Sequence, residues 1–119
     1  RLPRVLTWRS LARGLAVGHQ SIVVRRASAP HYDHRRHYYS ADVEWMVAVL
    51  KAARATAPVE GPLTRFLLGG FSKQHHRRSL IDRFQALRRH FGLLPTLWNH
   101  ASIVARAVRF RLGRRSGGL

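Results

Sequence analysis

Positive charge is the feature that most constrains this chain. Its 119 residues carry 22 lysines and arginines against five aspartates and glutamates, which gives a formal net charge of +17 at pH 7 with neutral histidines. Self-repulsion of that size opposes the compaction of so small a folded body. We therefore expect a polyanion to neutralise this charge in the working protein, and RNA, DNA and anionic lipid are the candidates.

Arginine supplies nearly all of the positive charge. Lys51 and Lys73 are the two lysines, and the other 20 cationic residues are arginines. The planar guanidinium group can bind phosphate through two hydrogen bonds and can stack on a base, whereas an ammonium group acts as a point charge. A GC-rich genome would also raise the ratio of arginine to lysine, but it does not account for the total charge. The composition indicates a nucleic-acid interface.

The hydrophobic pattern predicts a single all-α domain. Hydrophobic residues make up 45% of the chain, which is enough for a packed core. No segment shows sustained alternation of apolar and polar residues, the pattern of a strand. We expect a small bundle of about four helices over residues 40–113. An extended basic N-terminal arm at 1–39 precedes it, and a short flexible basic tail at 114–119 follows.

Capping residues and prolines mark the first two predicted helices. Ser40 is a good N-cap for the first helix, which should end near Ala57, ahead of Pro58. Its apolar stripe consists of Val43, Met46, Val47 and Leu50, with Trp45 and Val49 on the opposite side. A short second helix should begin at Gly61-Pro62 and stop at Gly69-Gly70, with the apolar residues Leu63, Phe66 and Leu67.

The third and fourth helices follow from similar signals. Ser72 can cap the third helix, and Gly92 should end it. Its core seam is Leu80, Phe84, Leu87 and Phe91, and the residues expected outside the core are Arg78, Asp82, Gln85 and Arg89. The fourth helix should run from Pro95-Thr96 to Gly113. It carries one apolar stripe of Leu97, Ala101, Val104 and Val108, and a second of Ile103, Ala107 and Phe110.

The first 30 residues are arginine-rich, contain serine and hold no acidic residue. That composition is typical of a mitochondrial transit peptide, and Arg25-Arg26-Ala27-Ser28 is similar to a matrix-peptidase cleavage region. The alternative is a basic arm that threads into RNA, and a retained arm of this composition would serve both roles.

A run of polar and basic residues at the start of the third helix is the main candidate for RNA contact. Helix N-termini present free N–H groups and the positive end of the helix dipole, and both attract phosphate. The candidate contacts are Lys73, Gln74, His75, His76, Arg77 and Arg78. The alternative is a charged face that only contacts water.

Residues 31–39 form a second candidate, because they combine two arginines with three tyrosines that can stack on exposed bases. We select Arg35, Arg36 and Tyr38 as RNA contacts; the alternative is a loop whose tyrosines cover apolar surface. His31, His34 and His37 recur at three-residue spacing, which raises the possibility of a metal site. The segment has no helical signal and holds two adjacent arginines, so we expect no metal there.

Three further arginines complete the predicted interface. Arg89 should point away from the core, whereas the stem of its neighbour Arg88 borders the apolar seam and is expected to pack there. Arg114 and Arg115 lie in the predicted tail and should follow an RNA groove.

Enzymatic chemistry is not indicated. The chain has no cysteine, which excludes disulfides, thiolate metal sites and cysteine nucleophiles. Its five carboxylates form no catalytic pattern, and Gly69-Gly70 lacks the rest of a phosphate-binding motif. We expect a non-enzymatic protein with no cofactor, no metal and no small-molecule substrate. No apolar run approaches the roughly 18 residues that span a bilayer, so we do not expect an integral membrane protein.

Four short motifs, in this order, resemble those of universal ribosomal protein fifteen of the small subunit. They are Ser40-Ala41-Asp42-Val43-Glu44, His75-His76-Arg77-Arg78-Ser79-Leu80, Arg88-Arg89 and Leu112-Gly113-Arg114-Arg115. The chain departs from the family pattern by an insertion before the histidine pair, by lacking the family's Asp before that pair and its Ser after it, and in the spacing of the C-terminal motif. The resemblance implies a four-helix protein that binds a junction in the central domain of small-subunit rRNA, with His75, His76, Arg77 and Arg78 as contacts.

These features together predict a structural constituent of the ribosome that binds rRNA and touches neighbouring ribosomal proteins. The expected location is the mitochondrial matrix, with a plastid or the bacterial cytoplasm as alternatives. Two other classes stay open. One is a peripheral accessory subunit of an inner-membrane respiratory or ATP synthase complex, whose basic surface would meet cardiolipin. The other is a DNA-binding nucleoid protein.

Overall fold

The structure is a computed structural model that describes residues 5–13, 18–65 and 74–116. Within these parts there are three α-helices: α1 (Ala41–Ala52), α2 (His76–Phe91) and α3 (Leu93–Ser116). Three short 3₁₀ turns precede them, at Trp8–Leu11, His19–Ser21 and Arg26–Ser28. The described parts contain no strand, which confirms the all-helical class.

Helix α1 begins where the sequence predicted, but a different residue satisfies the backbone there. The Ser40 side chain forms no capping hydrogen bond. Instead, Oδ2 of Asp82 on α2 accepts hydrogen bonds from the backbone N–H groups of Tyr39 and Ser40, each at 2.9 Å. A long-range contact from α2 therefore fixes the backbone just before α1, where only a local cap was expected.

Helix α1 ends at Ala52, five residues before the predicted end at Ala57. Ala53 is extended, and residues 54–57 are mostly exposed and carry little apolar surface, so a longer helix would bury little more. The hydroxyl of Thr56 donates to the Leu6 carbonyl at 2.9 Å, which ties this extended stretch to the N-terminal segment.

The predicted second helix is not confirmed. Residues 61–65 are not helical, and Gly61 has a φ of +86°, which a right-handed helix cannot accommodate. The rest of that prediction, which includes Phe66, Leu67 and Gly69-Gly70, lies outside the described residues, as does the predicted cap Ser72. A bundle of three α-helices, not four, is what the described residues form.

Gly92 separates α2 from α3, as predicted, and its φ of +84° explains why glycine occupies the position. Helix α3 begins at once at Leu93, and Pro95 falls in its first turn, where a missing N–H is tolerated. The expected end at Gly113 was wrong, because α3 continues to Ser116 and takes in three residues of the predicted flexible tail. A single helical glycine costs only about 1 kcal/mol, too little to end a helix by itself.

The N-terminal segment is part of the core and not an extended arm. Leu11, with 1% of its surface exposed, packs with Met46, Val47 and Leu50 of α1. Leu6, Trp8, Ile22 and Trp45 surround this cluster. The described part of residues 1–39 thus contributes to the folded centre, which neither the transit-peptide nor the RNA-arm interpretation predicted.

The two tryptophans at the edge of this core contact segments on either side of it. Trp8 stacks on Phe91 of α2 with ring centroids 5.2 Å apart, and the Trp45 indole N–H donates to the Pro30 carbonyl at 3.0 Å. With Val49 only 6% exposed, the side of α1 that carries Trp45 and Val49 is covered as well as its main apolar stripe.

The predicted apolar faces of α2 and α3 were partly wrong. On α2 the buried residues are Ala86 and Leu87, whereas Leu80 is exposed. On α3 the predicted stripe of Leu97, Ala101, Val104 and Val108 faces outward. Among the described helices α3 packs mainly against α2, so only one side of α3 is covered.

Replacing Leu11 with alanine tests whether the N-terminal segment belongs to the core. We expect the free energy of unfolding to fall by about 2–5 kcal/mol, the usual effect of deleting a buried leucine side chain. Urea denaturation followed by circular dichroism measures it. Val23→Ala is the matched control, since Val23 lies in the same segment with 85% of its surface exposed, and it should change stability by less than about 0.5 kcal/mol. Equal effects of the two changes would contradict the packing of Leu11.

Candidate nucleic-acid interface

A part-buried group of carboxylates and imidazoles holds the loop before α1 against α2. Asp82 Oδ1 accepts from His37 Nδ1 at 2.8 Å. His37 Nε2 lies 3.4 Å from Glu44 Oε1, an electrostatic contact without hydrogen-bond geometry. His90 Nε2 donates to Glu44 Oε2 at 2.7 Å. Asp82 therefore lies inside the fold, which corrects the prediction that it would be outside the core.

This arrangement also decides the role of His37. The side chain is buried between two carboxylates, so it acts as a structural anchor and neither reaches RNA nor joins His31 and His34 around a metal ion. The ring of His34 instead lies edge-on to that of Tyr38, with centroids 6.4 Å apart. In the described residues no group of three or more histidines or carboxylates is placed to hold a metal ion.

Fixing His37 inside the protein turns the next residue outward and starts a row of rings. Tyr38 has 63% of its surface exposed, and its ring lies 5.3 Å from that of Tyr39. The Tyr39 ring in turn lies 5.7 Å from that of His75. We call His34, Tyr38, Tyr39 and His75 the aromatic row. The row joins the two predicted RNA-contact clusters, which are separated by about 36 residues in the sequence.

Four exposed arginines share one side of α2, and we call them the basic face: Arg77, Arg78, Arg88 and Arg89. The two pairs are 11 residues apart, close to three helical turns, so they lie in line about 16 Å apart along the axis. Arg88 is thus exposed, which corrects the expectation that its stem packs in the apolar seam. Arg89 Nη1 lies 3.8 Å from Glu44 Oε1, so this arginine also touches the part-buried carboxylate.

A cleft of about 230 Å³ opens beside the aromatic row. Its walls include Tyr39, Asp42, His76, Ser79 and Arg83. Neither Ser79 nor Arg83 was among the predicted contacts. They follow His76 by three and seven residues, a spacing that places all three on one side of the helix. This spacing could have identified both residues from the sequence.

The predicted contact Arg35 is exposed, but its guanidinium group is hydrogen-bonded to an acidic neighbour. Its Nε and Nη2 donate to the two carboxylate oxygens of Asp33, each at 2.9 Å, and its backbone N–H donates to the same group. These hydrogen bonds hold the pKa of Asp33 well below its usual range. A phosphate that binds Arg35 must compete with Asp33, whereas the exposed Arg36 is not part of this pair.

The remaining predicted contacts are placed as follows. Gln74 and His76 are exposed at the beginning of α2. Lys73 lies outside the described residues. Arg114 and Arg115 belong to the last turn of α3 and not to a separate tail. None of the helices in the described parts has the length and apolar character needed to cross a membrane.

Comparison with known proteins adds no relative. No protein-family model, curated protein or solved structure matches the chain at a significant level. The functional interpretation therefore depends on the residues and geometry described above.

Proposed function

We propose that this protein is a non-enzymatic structural component of a ribosome, with the mitochondrial ribosome as its setting, and that it binds rRNA. The basic face of α2 contacts phosphates, and the aromatic row stacks on unpaired bases beside them. The observation that carries this proposal is the junction at Tyr39 and His75, whose rings lie 5.7 Å apart. It brings a base-stacking surface and a phosphate-binding surface together on one side of the molecule.

The distribution of charge supports a polyanionic partner. Three of the five acidic residues engage histidines, in the pairs Asp82–His37, Glu44–His90 and Asp42–His19, and the first two pairs lie largely within the fold. In the described part of the chain, Arg77, Arg78 and Arg88 have no carboxylate within 4.0 Å. These three guanidinium groups keep their donors available for phosphate, and such contacts release counterions on binding.

The family resemblance points the same way. The two motifs that resemble the RNA-binding motifs of universal ribosomal protein fifteen, the histidine–arginine run and Arg88-Arg89, lie on the single helix α2. By this resemblance, a junction in the central domain of small-subunit rRNA is the binding site, and neighbouring ribosomal proteins are the other partners.

Sedimentation in a sucrose gradient tests the proposal. We expect the native protein to migrate with rRNA and to leave that fraction after nuclease treatment. Migration that resists nuclease and follows detergent-solubilised respiratory or ATP synthase complexes would contradict it. Ultraviolet cross-linking then identifies the bound RNA segment, and cross-links at Tyr38 or in residues 74–78 are expected.

Replacing Tyr38 with alanine should weaken binding to the cross-linked RNA segment by about 5- to 100-fold, because stacking of a base on an aromatic ring contributes roughly 1–3 kcal/mol. Fluorescence anisotropy with a labelled RNA of that sequence measures the change. Tyr38→Phe keeps the ring and should bind within about twofold of the parent protein. If both variants lose affinity equally, the hydroxyl and not stacking is responsible, and the role proposed for the aromatic row is wrong.

A further inference from the structure

Helix α3 turns an apolar face away from the rest of the protein. Its inner face is in contact with α2, since the His100 ring packs edge-on against Phe84 with centroids 5.0 Å apart and Thr96 is buried. On the opposite side, five exposed residues follow one another in steps of three, four, three and four, and we call them the outer seam: Leu94, Leu97, Ala101, Val104 and Val108. Soluble proteins rarely leave so continuous an apolar surface uncovered.

The spacing of the outer seam suits another helix. Alternating steps of three and four residues keep apolar side chains in line over several turns, so that they can interlock with those of a facing helix. Ala101 and its exposed neighbour Ala105 are small and leave room for a close approach at the centre of the seam. The seam covers about 21 Å of the axis, and Trp98, 77% exposed, extends it on one side.

Charge defines the chemistry of that facing helix. Residues 93–116 contain no aspartate or glutamate, and their arginines all lie in the second half, at positions 106, 109, 111, 114 and 115. We propose that the outer seam docks an amphipathic helix of a different protein, apolar along its centre and acidic at the end that lies against residues 106–115. This proposal does not depend on RNA binding, because it concerns α3 and not the basic face of α2.

Two other occupants fit less well. A second copy of this chain would bring no carboxylate to the seam in either orientation, and it would add another +17 charges. A lipid surface would favour bulky apolar side chains with cations along the whole helix. Here the centre of the seam is alanine, and residues 93–105 contain no lysine or arginine.

Site-specific photo-cross-linking in the native assembly tests the proposal. A variant with p-benzoylphenylalanine in place of Val104 (61% exposed) is expressed in cells and irradiated, and the cross-linked peptides are identified by mass spectrometry. We expect a peptide from another protein that has apolar residues at steps of three and four and an excess of aspartate and glutamate. A peptide without these features, a cross-link to lipid, RNA or a second copy, or no cross-link would each overturn the proposal.

Paired substitutions provide the second measurement. Leu97→Glu with Val104→Glu should reduce the cross-linked protein's co-purification at least tenfold, while the matched control pair Val23→Glu with Val59→Glu, exposed and outside α3, should change it less than twofold. Circular dichroism checks that both variants keep their helices. Equal losses in the two variants would overturn the proposal. So would seam-dependent dimerisation in sedimentation equilibrium, or seam-dependent flotation with phosphatidylcholine–cardiolipin vesicles.

Discussion

Changing all four arginines of the basic face to glutamine is expected to lower rRNA affinity on the order of 100-fold at 0.15 M salt. Each phosphate neutralised by arginine steepens the fall of log affinity with log salt by roughly 0.7–0.9. The four-residue variant should therefore lose about three units of that slope. Glutamine keeps the helix propensity and much of the length of arginine, so the loss of affinity is due to the removed charge. Binding titrations with the cross-linked RNA segment, at several salt concentrations, measure both quantities.

A charge-matched variant separates a defined surface from diffuse attraction. Four exposed arginines outside α2, changed together to glutamine, remove the same charge: Arg25, Arg26, Arg54 and Arg109. We expect this control to lose less than about one unit of slope. If it loses as much as the basic-face variant, RNA binding depends on total charge and not on α2.

The pair nearest the aromatic row can be tested alone. Arg77→Ala with Arg78→Ala should weaken RNA binding and flatten the slope by about half as much as the four-residue variant, because two phosphate contacts are removed and not four. An unchanged slope would remove this pair from the interface.

The largest loss of stability is expected for Asp82→Ala, about 3–5 kcal/mol. This carboxylate accepts hydrogen bonds from two backbone N–H groups and from the buried His37 ring, all at 2.8–2.9 Å. Its removal leaves those donors unsatisfied inside the protein, which is the costly situation for a buried polar group. Urea denaturation measures the change, and for a domain this size it should lower the melting temperature by at least 10 °C.

Gln85→Ala provides the control for Asp82, since Gln85 is exposed on the same helix one turn away, and it should change stability by less than about 0.5 kcal/mol. If Asp82→Ala leaves so little protein folded that no transition is seen, Asp82→Asn keeps the shape and removes the charge, and it should fall between the two. Faster hydrogen exchange at the Tyr39 and Ser40 amides is also expected. Unchanged exchange and stability would show that the carboxylate does not hold the loop before α1.

The same residues show why sequence patterns found some features and missed others. The break at Gly92 was predictable, because it depends on backbone geometry within a few residues. The start of α1 after Ser40 was also predicted, although Ser40 forms no capping hydrogen bond and Asp82 of α2 fixes the backbone there. Asp82 was misplaced because its partners, Tyr39 and Ser40, lie more than 40 residues away. The helical pattern shows that Asp82 lies opposite the apolar residues of α2, but it does not show that another segment covers that side.

The candidate interface was likewise only partly predictable from the sequence. The residue types of the interface, arginine pairs and tyrosines beside histidines, were evident in the sequence, as was their preference for phosphate and bases. That these residues lie side by side was not evident, because Tyr39 and His75 are far apart in the sequence and meet only through the packing of the loop before α1 on α2. Arg83 was missed because the wall opposite it comes from the loop before α1.

The sequence by itself determined the helical class, the large excess of arginine and the local ends of several elements. These depend on composition, on apolar spacing and on single residues such as glycine. Only the tertiary structure decided that Leu11 lies in the core and that Leu97 and Val104 face outward. The physical reason is that an apolar stripe shows which residues share a side of a helix. Whether that side is buried depends on which other segments of the chain pack against it.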